Sequence, residues 1–94
     1  MAIRSFKDKG LRRLFEKGEA RGVSAEWADK LRLMLTVIDG ARTVEQIGLY
    51  PGWRLHPMTG DLKGFWSLTV SANWRLLFRF EDGDAFDLFL YDPH

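Results

Sequence analysis

The apolar residues of this chain change period part-way along it. Leu11, Leu14 and Phe15, and then Trp27, Leu31, Met34, Leu35 and Ile38, recur every three or four residues, the spacing of one helix face. From residue 65 the spacing drops to two: in FWSLTVS, Trp66, Leu68 and Val70 alternate with Phe65, Ser67, Thr69 and Ser71, and in WRLLFRF, Trp74, Leu76, Phe78 and Phe80 alternate with Arg75, Leu77 and Arg79. A helical stripe and a half-buried strand must each cover their apolar side with something else. Two such helices followed by such strands predict an α+β fold, two N-terminal helices packed on one face of a small, mostly antiparallel twisted sheet.

Punctuation residues set the expected boundaries. AIRSF at residues 2–6 is short and partly β-branched, a candidate first strand. Asp8 can cap a helix over about 10–18, stopped by Gly18 and Gly22. Ser24 is the expected N-cap of a second helix running to Asp39, with Glu26 in its first turn, where the helix dipole favours an acid, and Gly40 at its end. WRLHP supplies an early strand, SAN is short enough for a hairpin link, and EDGD carries the Asp-Gly turn signal. FDLFLY is then a last strand with Phe86, Leu88 and Leu90 directed inward.

At 94 residues the expectation is one domain, 1–94, burying roughly 60 to 65 % of its unfolded surface. Hydrophobic residues at 46 % and charged residues at 29 % describe a globule, not a disordered chain. The absence of cysteine excludes disulfides, thiolate nucleophiles and thiolate zinc sites. No apolar run spans a bilayer and the start lacks the apolar core of a signal peptide, so a cytoplasmic protein without a membrane partner is expected. Five acids and no Lys or Arg lie in residues 81–94, which leaves the first 80 residues at net +6: a basic surface for a polyanion, or simply a solvated exterior.

Alternation also says what the uncovered face of the sheet carries. Arg75 and Arg79 share it with Asp87, Phe89 and Tyr91 and with Ser67, Thr69 and Ser71. Arginine beside exposed rings suits single-stranded nucleic acid, since guanidinium groups hold phosphate while rings stack on bases. Cross-strand pairing, Arg79 with Asp87 for example, is the alternative. The only two histidines, His56 and His94, are the groups able to move protons near neutral pH without a large perturbation. With no cysteine and no second histidine at helical spacing, a metal would need carboxylates to complete its shell.

IRSFKDKGLRRLFEKG at residues 3–18, the helical LRLMLTVIDGA, WRLHPMTGDLKGFWSLTVSANWRLLFRFEDGDAFD at 53–87 and the closing YDPH together resemble the HigB toxins of the RelE/ParE superfamily. The likeness covers nearly the whole chain. Its motifs are LHP-x-x-GD, G-[FYW]-W-S, NWR-x-x-F-x-F-x-x-GDA and a terminal D-x-H. It implies a RelE-like, microbial ribonuclease-type fold and the toxin of a type II toxin-antitoxin pair, a ribosome-dependent endoribonuclease that cuts the mRNA codon in the A site through the RNA's own 2′-OH. Neither metal nor cofactor is implied. The implied partners are the ribosome and its mRNA and a HigA-type helix-turn-helix antitoxin, through which contact with operator DNA is indirect.

Carried over residue by residue, the family's catalytic positions fall on His56, Arg75, Asp92 and His94. Arg75 is expected on the scissile phosphate, the two histidines share acid and base duties, and Asp92 orients a histidine or holds the chain's end. A carboxylate on His94 itself favours the protonated, acidic form of that ring. Lys63, Arg79 and Tyr91 are the further RNA-binding candidates. Two departures stand out: Thr59 where the family usually has a basic residue, and Pro93 where it usually has tyrosine. Each loss is comparable to removing one oxyanion donor, about 10²- to 10³-fold in rate. Lys63 and Tyr91 are the nearest substitutes. A catalytically degenerate or ParE-like non-nuclease toxin, acting by protein binding on the same fold, is the competing expectation.

Overall fold

The computed structural model describes residues 2–94. Helices α1 (Lys9–Lys17), α2 (Ala28–Gly40) and the short α3 (Val44–Ile47) precede strands β1 (His56–Pro57), β2 (Phe65–Thr69), β3 (Arg75–Glu81) and β4 (Asp84–Tyr91). The strands form one antiparallel sheet in the order β1-β2-β3-β4. Leu11 and Leu14 of α1, Leu31, Met34, Leu35 and Ile38 of α2, and Ile47 of α3 pack with Leu68, Leu76, Phe78, Ala85 and Leu88 of the sheet into one core. The expected α+β arrangement, helices on one face, is the one that forms.

α1 starts where the sequence says it should. The Asp8 carboxylate accepts from the backbone N–H groups of Gly10 and Leu11, satisfying two donors that a helix start otherwise leaves open. Gly18 ends it in the left-handed conformation, φ 71°, with its N–H returned to the Leu14 carbonyl. The chain then passes so close to α1 that a Cβ on Gly10 would sit 2.2 Å from the Gly22 carbonyl oxygen. Gly22 therefore serves an approach between backbones, not a helix stop.

Four expectations shift. Ser24 is not the N-cap of α2: residues 25–27 form a turn in which the Ser24 carbonyl accepts from the Trp27 N–H at 3.0 Å, and the helix starts at Ala28 behind Trp27. Glu26 accordingly lies in that turn. The WRLHP strand shrinks to His56–Pro57, because Arg54 takes a positive φ of 50° that breaks the extended run. Residues 2–7 form no full strand; they run parallel to the outer edge of β4 through the bridges Ile3↔Ala85 and Phe6↔Leu88, with the Arg4 and Lys7 N–H groups each 2.8 Å from their acceptor carbonyls. Phe86 does not face the helices: it pairs with Arg79, on the uncovered side.

That last change has one cause. β3 pairs Leu77↔Phe89 and Arg79↔Phe86, so one residue on β3 opposes two on β4, a β-bulge with Asp87 at φ 56°. Across it the phase of β4 flips. Ala85 and Leu88 both reach the core while Phe86, Phe89 and Tyr91 share the opposite face. The Asp82–Gly83 turn joining β3 to β4 has positive φ at both residues, 50° and 83°, the twist a two-residue hairpin prefers.

Candidate active site on the uncovered sheet face

Strand register places the candidates. His56 opposes Ser67 on β2, which opposes Leu77 on β3, which opposes Phe89 on β4; the next row is Thr69, Arg75 and Tyr91. His56 and Arg75 are thus two strands and one pleat repeat apart, on the order of 12 Å between Cα atoms. Ser67 and Thr69 of β2 lie between their strands.

The face is less open than alternation implies. Leu77 is fully buried, and Ser67 is 1 % exposed with a hydroxyl that has no hydrogen-bond partner among the described residues. Nearby, Phe65 and Phe89 meet edge to face at 5.4 Å, and the Tyr91 ring is edge-on to Phe89 at 6.3 Å. The Lys7 ammonium lies 5.3 Å and 5.5 Å from the Phe65 and Phe89 ring centres.

Two groups are oriented by their neighbours. His56 is exposed, and its Nδ1 lies 2.9 Å from the Arg54 carbonyl oxygen. A carbonyl can only accept, so Nδ1 carries the proton in this contact, and in the neutral ring Nε2 is the nitrogen with the lone pair. The left-handed Arg54 backbone turns that carbonyl towards the ring. After β4, Asp92 Oδ1 accepts from the His94 N–H and contacts the His94 Nδ1, both at 2.9 Å. The His94 backbone N–H, then the imidazole bond, and further the charges of His94 and Arg75, hold the Asp92 carboxyl below its ordinary value.

Arg75 is half-buried, its Nη1 donating to the carbonyls of Ser71 at 2.7 Å and Trp74 at 3.1 Å. Among the described residues it has no acidic ion-pair partner, so its charge remains available to an anion. Arg79 differs: it pairs with Asp87, Nε and Nη2 both at 2.9 Å from Oδ2, and with Glu81. The cross-strand pairing alternative is the one that forms there. Lys63 and Thr59 lie in the loop between β1 and β2, at the Phe65 end of β2, and are not brought to the Arg75 end.

The structure therefore gathers Arg75, Tyr91, Asp92 and His94, sets His56 on the same sheet face two strands from Arg75, and leaves Lys63 and Arg79 outside. Lys7 was missed by reading the sequence because residues 2–7 join the sheet by parallel bridges, which leave no periodic signature. Among the described residues no cluster of three or more His, Asp or Glu side chains is arranged to hold a metal, and no helix is long and apolar enough to cross a membrane.

Three helices over one face of a four-stranded antiparallel sheet is the RelE-like toxin architecture. Solved structures of YafQ from E. coli, one of them a single-residue mutant, share it at TM-scores of 0.64 and 0.63, 17 % and 16 % identity, and 97 % coverage of this chain and 91 % of those. A copper-bound mutant toxin from Helicobacter pylori has a TM-score of 0.55 at 19 % identity, over 99 % of this chain and 96 % of that one. Sequence narrows the class. Residues 4–94 match the family described as RelE-like toxins of type II toxin-antitoxin systems, HigB. The chain is 46 % identical over 92 residues to the protein named Endoribonuclease HigB from Proteus vulgaris, covering 98 % of this chain and 99 % of that protein, and 33 % identical over 90 residues to Toxin HigB-1 of Vibrio cholerae, covering 95 % and 94 %. The chain belongs to the HigB-like toxin family, and membership of a type II system implies an antitoxin partner.

Proposed function

We propose that this toxin is a metal-independent endoribonuclease that cuts mRNA in the ribosomal A site and arrests translation in the cytoplasm. The chemistry is transfer within the RNA: the 2′ oxygen bonds to phosphorus, the P–O5′ bond breaks, and a 2′,3′-cyclic phosphate and a 5′-OH remain. It needs a base for the 2′-OH proton, a cation against the phosphorane and an acid for the leaving oxygen.

His56 is the base, since the Arg54 carbonyl holds the proton on Nδ1 and leaves Nε2 to accept in the neutral ring. Arg75 holds the scissile phosphate, its guanidinium oriented by two backbone carbonyls and unpaired with any acid among the described residues. His94 is the acid, its ring held in place by the Asp92 carboxylate at 2.9 Å. Tyr91, opposite Arg75, offers the ring on which a base can stack. Lys63 contacts RNA at the periphery. The inhibitory partner is a HigA-type helix-turn-helix antitoxin, which also carries any operator contact.

The observation that carries this reading is the unequal dressing of the two histidines, one on a carbonyl and one on a carboxylate, as an acid-base pair requires. A binding-only toxin has no use for that asymmetry. The test is to programme purified ribosomes with a defined mRNA, add the toxin without antitoxin, and map 5′ ends by primer extension with His94→Ala as control. Cuts in the A-site codon that vanish in the variant are expected; intact mRNA from a folded, ribosome-bound toxin would end the nuclease reading.

A further inference from the structure

Among the described residues of the proposed site Arg75 is a cation without an acidic partner, and at Thr59 the site lacks the basic residue usual in the family. Arg79 does not make up the deficit, because Asp87 and Glu81 compensate its charge. Lys7 can. Its backbone N–H is fixed on the Leu88 carbonyl at 2.8 Å, and its side chain crosses β4 until the ammonium stands over the Phe65–Phe89 pair. Phe65 on β2 stands opposite Arg79 and Phe89 on β4 opposite Leu77, so the charge sits above β3 between Leu77 and Arg79. Lys7 is exposed and forms no ion pair among the described residues.

Those two positions are two and four residues from Arg75 on β3, so the charge stands about 10 Å along the strand from Arg75. A stacked single strand advances about 3.4 Å per nucleotide. From this spacing we propose that Lys7 grips a backbone phosphate of the mRNA about three nucleotides from the bond Arg75 addresses. Phosphate suits a compact ammonium that makes no directional demand, and the two ring faces hold that ammonium over the sheet. The inference rests on the reading of this face as the mRNA-cleaving site. Lys7 takes no part in proton transfer; it sets where the strand lies.

Single-turnover cleavage on programmed ribosomes, run against toxin concentration, tests it. Lys7→Met keeps the apolar stem over both rings and removes the charge; Lys7→Arg keeps the charge. Lys7→Met is expected to raise the half-saturating concentration roughly tenfold, as loss of one charged hydrogen bond does, with the plateau rate within about twofold; Lys7→Arg restores most of the loss. A series of mRNAs with one neutral methylphosphonate each then locates the contact. At one position near the cut the wild type should weaken to the level of Lys7→Met, and the two proteins should become equal.

Equal curves for Lys7→Met and wild type on unmodified mRNA would overturn the assignment. So would a Lys7→Met deficit that survives every methylphosphonate position, since the charge would then face ribosomal RNA. A lowered unfolding temperature in Lys7→Met, with cleavage not rescued by Lys7→Arg, would reduce Lys7 to a brace for the aromatic pair. Wild-type toxin that cuts nothing fails the proposed function itself, before any Lys7 variant is compared.

Discussion

On one face of the sheet Leu68, Leu76, Phe78 and Leu88 vanish beneath the helices; on the other, Leu77 and the Ser67 hydroxyl are just as buried, yet that hydroxyl has no partner among the described residues. The helix side is filled by volume alone, with aliphatic and aromatic groups that ask for nothing but contact. The other side keeps features that folding does not reward: a left-handed Arg54, a buried unpaired hydroxyl and a half-buried guanidinium tied only to carbonyls. Such departures from local comfort collect where a surface is shaped for a ligand.

Neighbouring residues on β3 give the sharpest contrast, because Leu76 points to the helices and Arg75 away from them. Leu76→Ala should lose about 2–5 kcal/mol of stability, much of a small domain's total, read as a lower midpoint in urea. Arg75→Ala should do the reverse, cutting cleavage by about 10²- to 10³-fold while the urea midpoint barely moves. An Arg75→Ala protein that unfolds would place that side chain in the core's accounts and collapse the distinction between the faces.

Ser67→Ala comes next. Removing a buried hydroxyl that bonds to nothing should raise stability by about 1 kcal/mol, a small upward shift of the same midpoint. If cleavage falls while stability rises, the hydroxyl is held in reserve for the bound RNA. The smallest effect concerns pH. Asp92 has its folded-state pKa lowered from 3.8, so its contribution is complete above that value and is lost only as pH falls through the lowered one. Carboxyl-carbon NMR should therefore find Asp92 ionised, and still bonded to His94, at acidities where ordinary aspartates have begun to protonate.

Much of the helix side was legible because its rules are local. Asp8 capped α1 as expected, and the Leu31–Met34–Leu35–Ile38 stripe went into the core. Even α3, which the apolar pattern left unmarked, had a written sign in T-V-E-Q: the Gln46 side chain accepts the Arg42 N–H at 2.7 Å, close to a capping box. The other face was less readable because it depends on register. Strict alternation put Phe86 inward, and the extra residue at Asp87 sent it outward. The motifs picked out His56, Arg75, Asp92 and His94; the carbonyl on one ring and the carboxylate on the other became visible only with the chain folded. Alternation put Arg79 on the same face as Arg75 and left open whether it would pair with Asp87; the folded chain closes that pair and adds Glu81.

Pro93 reads differently once the segment after β4 is seen. Asp92 Oδ1 reaches over it to the His94 N–H at 2.9 Å, an Asx turn whose middle residue lends neither its own N–H nor its side chain. Proline has no N–H to miss there, and its ring holds φ near about −65°. The residue that breaks the family's spelling thus acts as a stiffener, narrowing the swing of the imidazole before any RNA arrives.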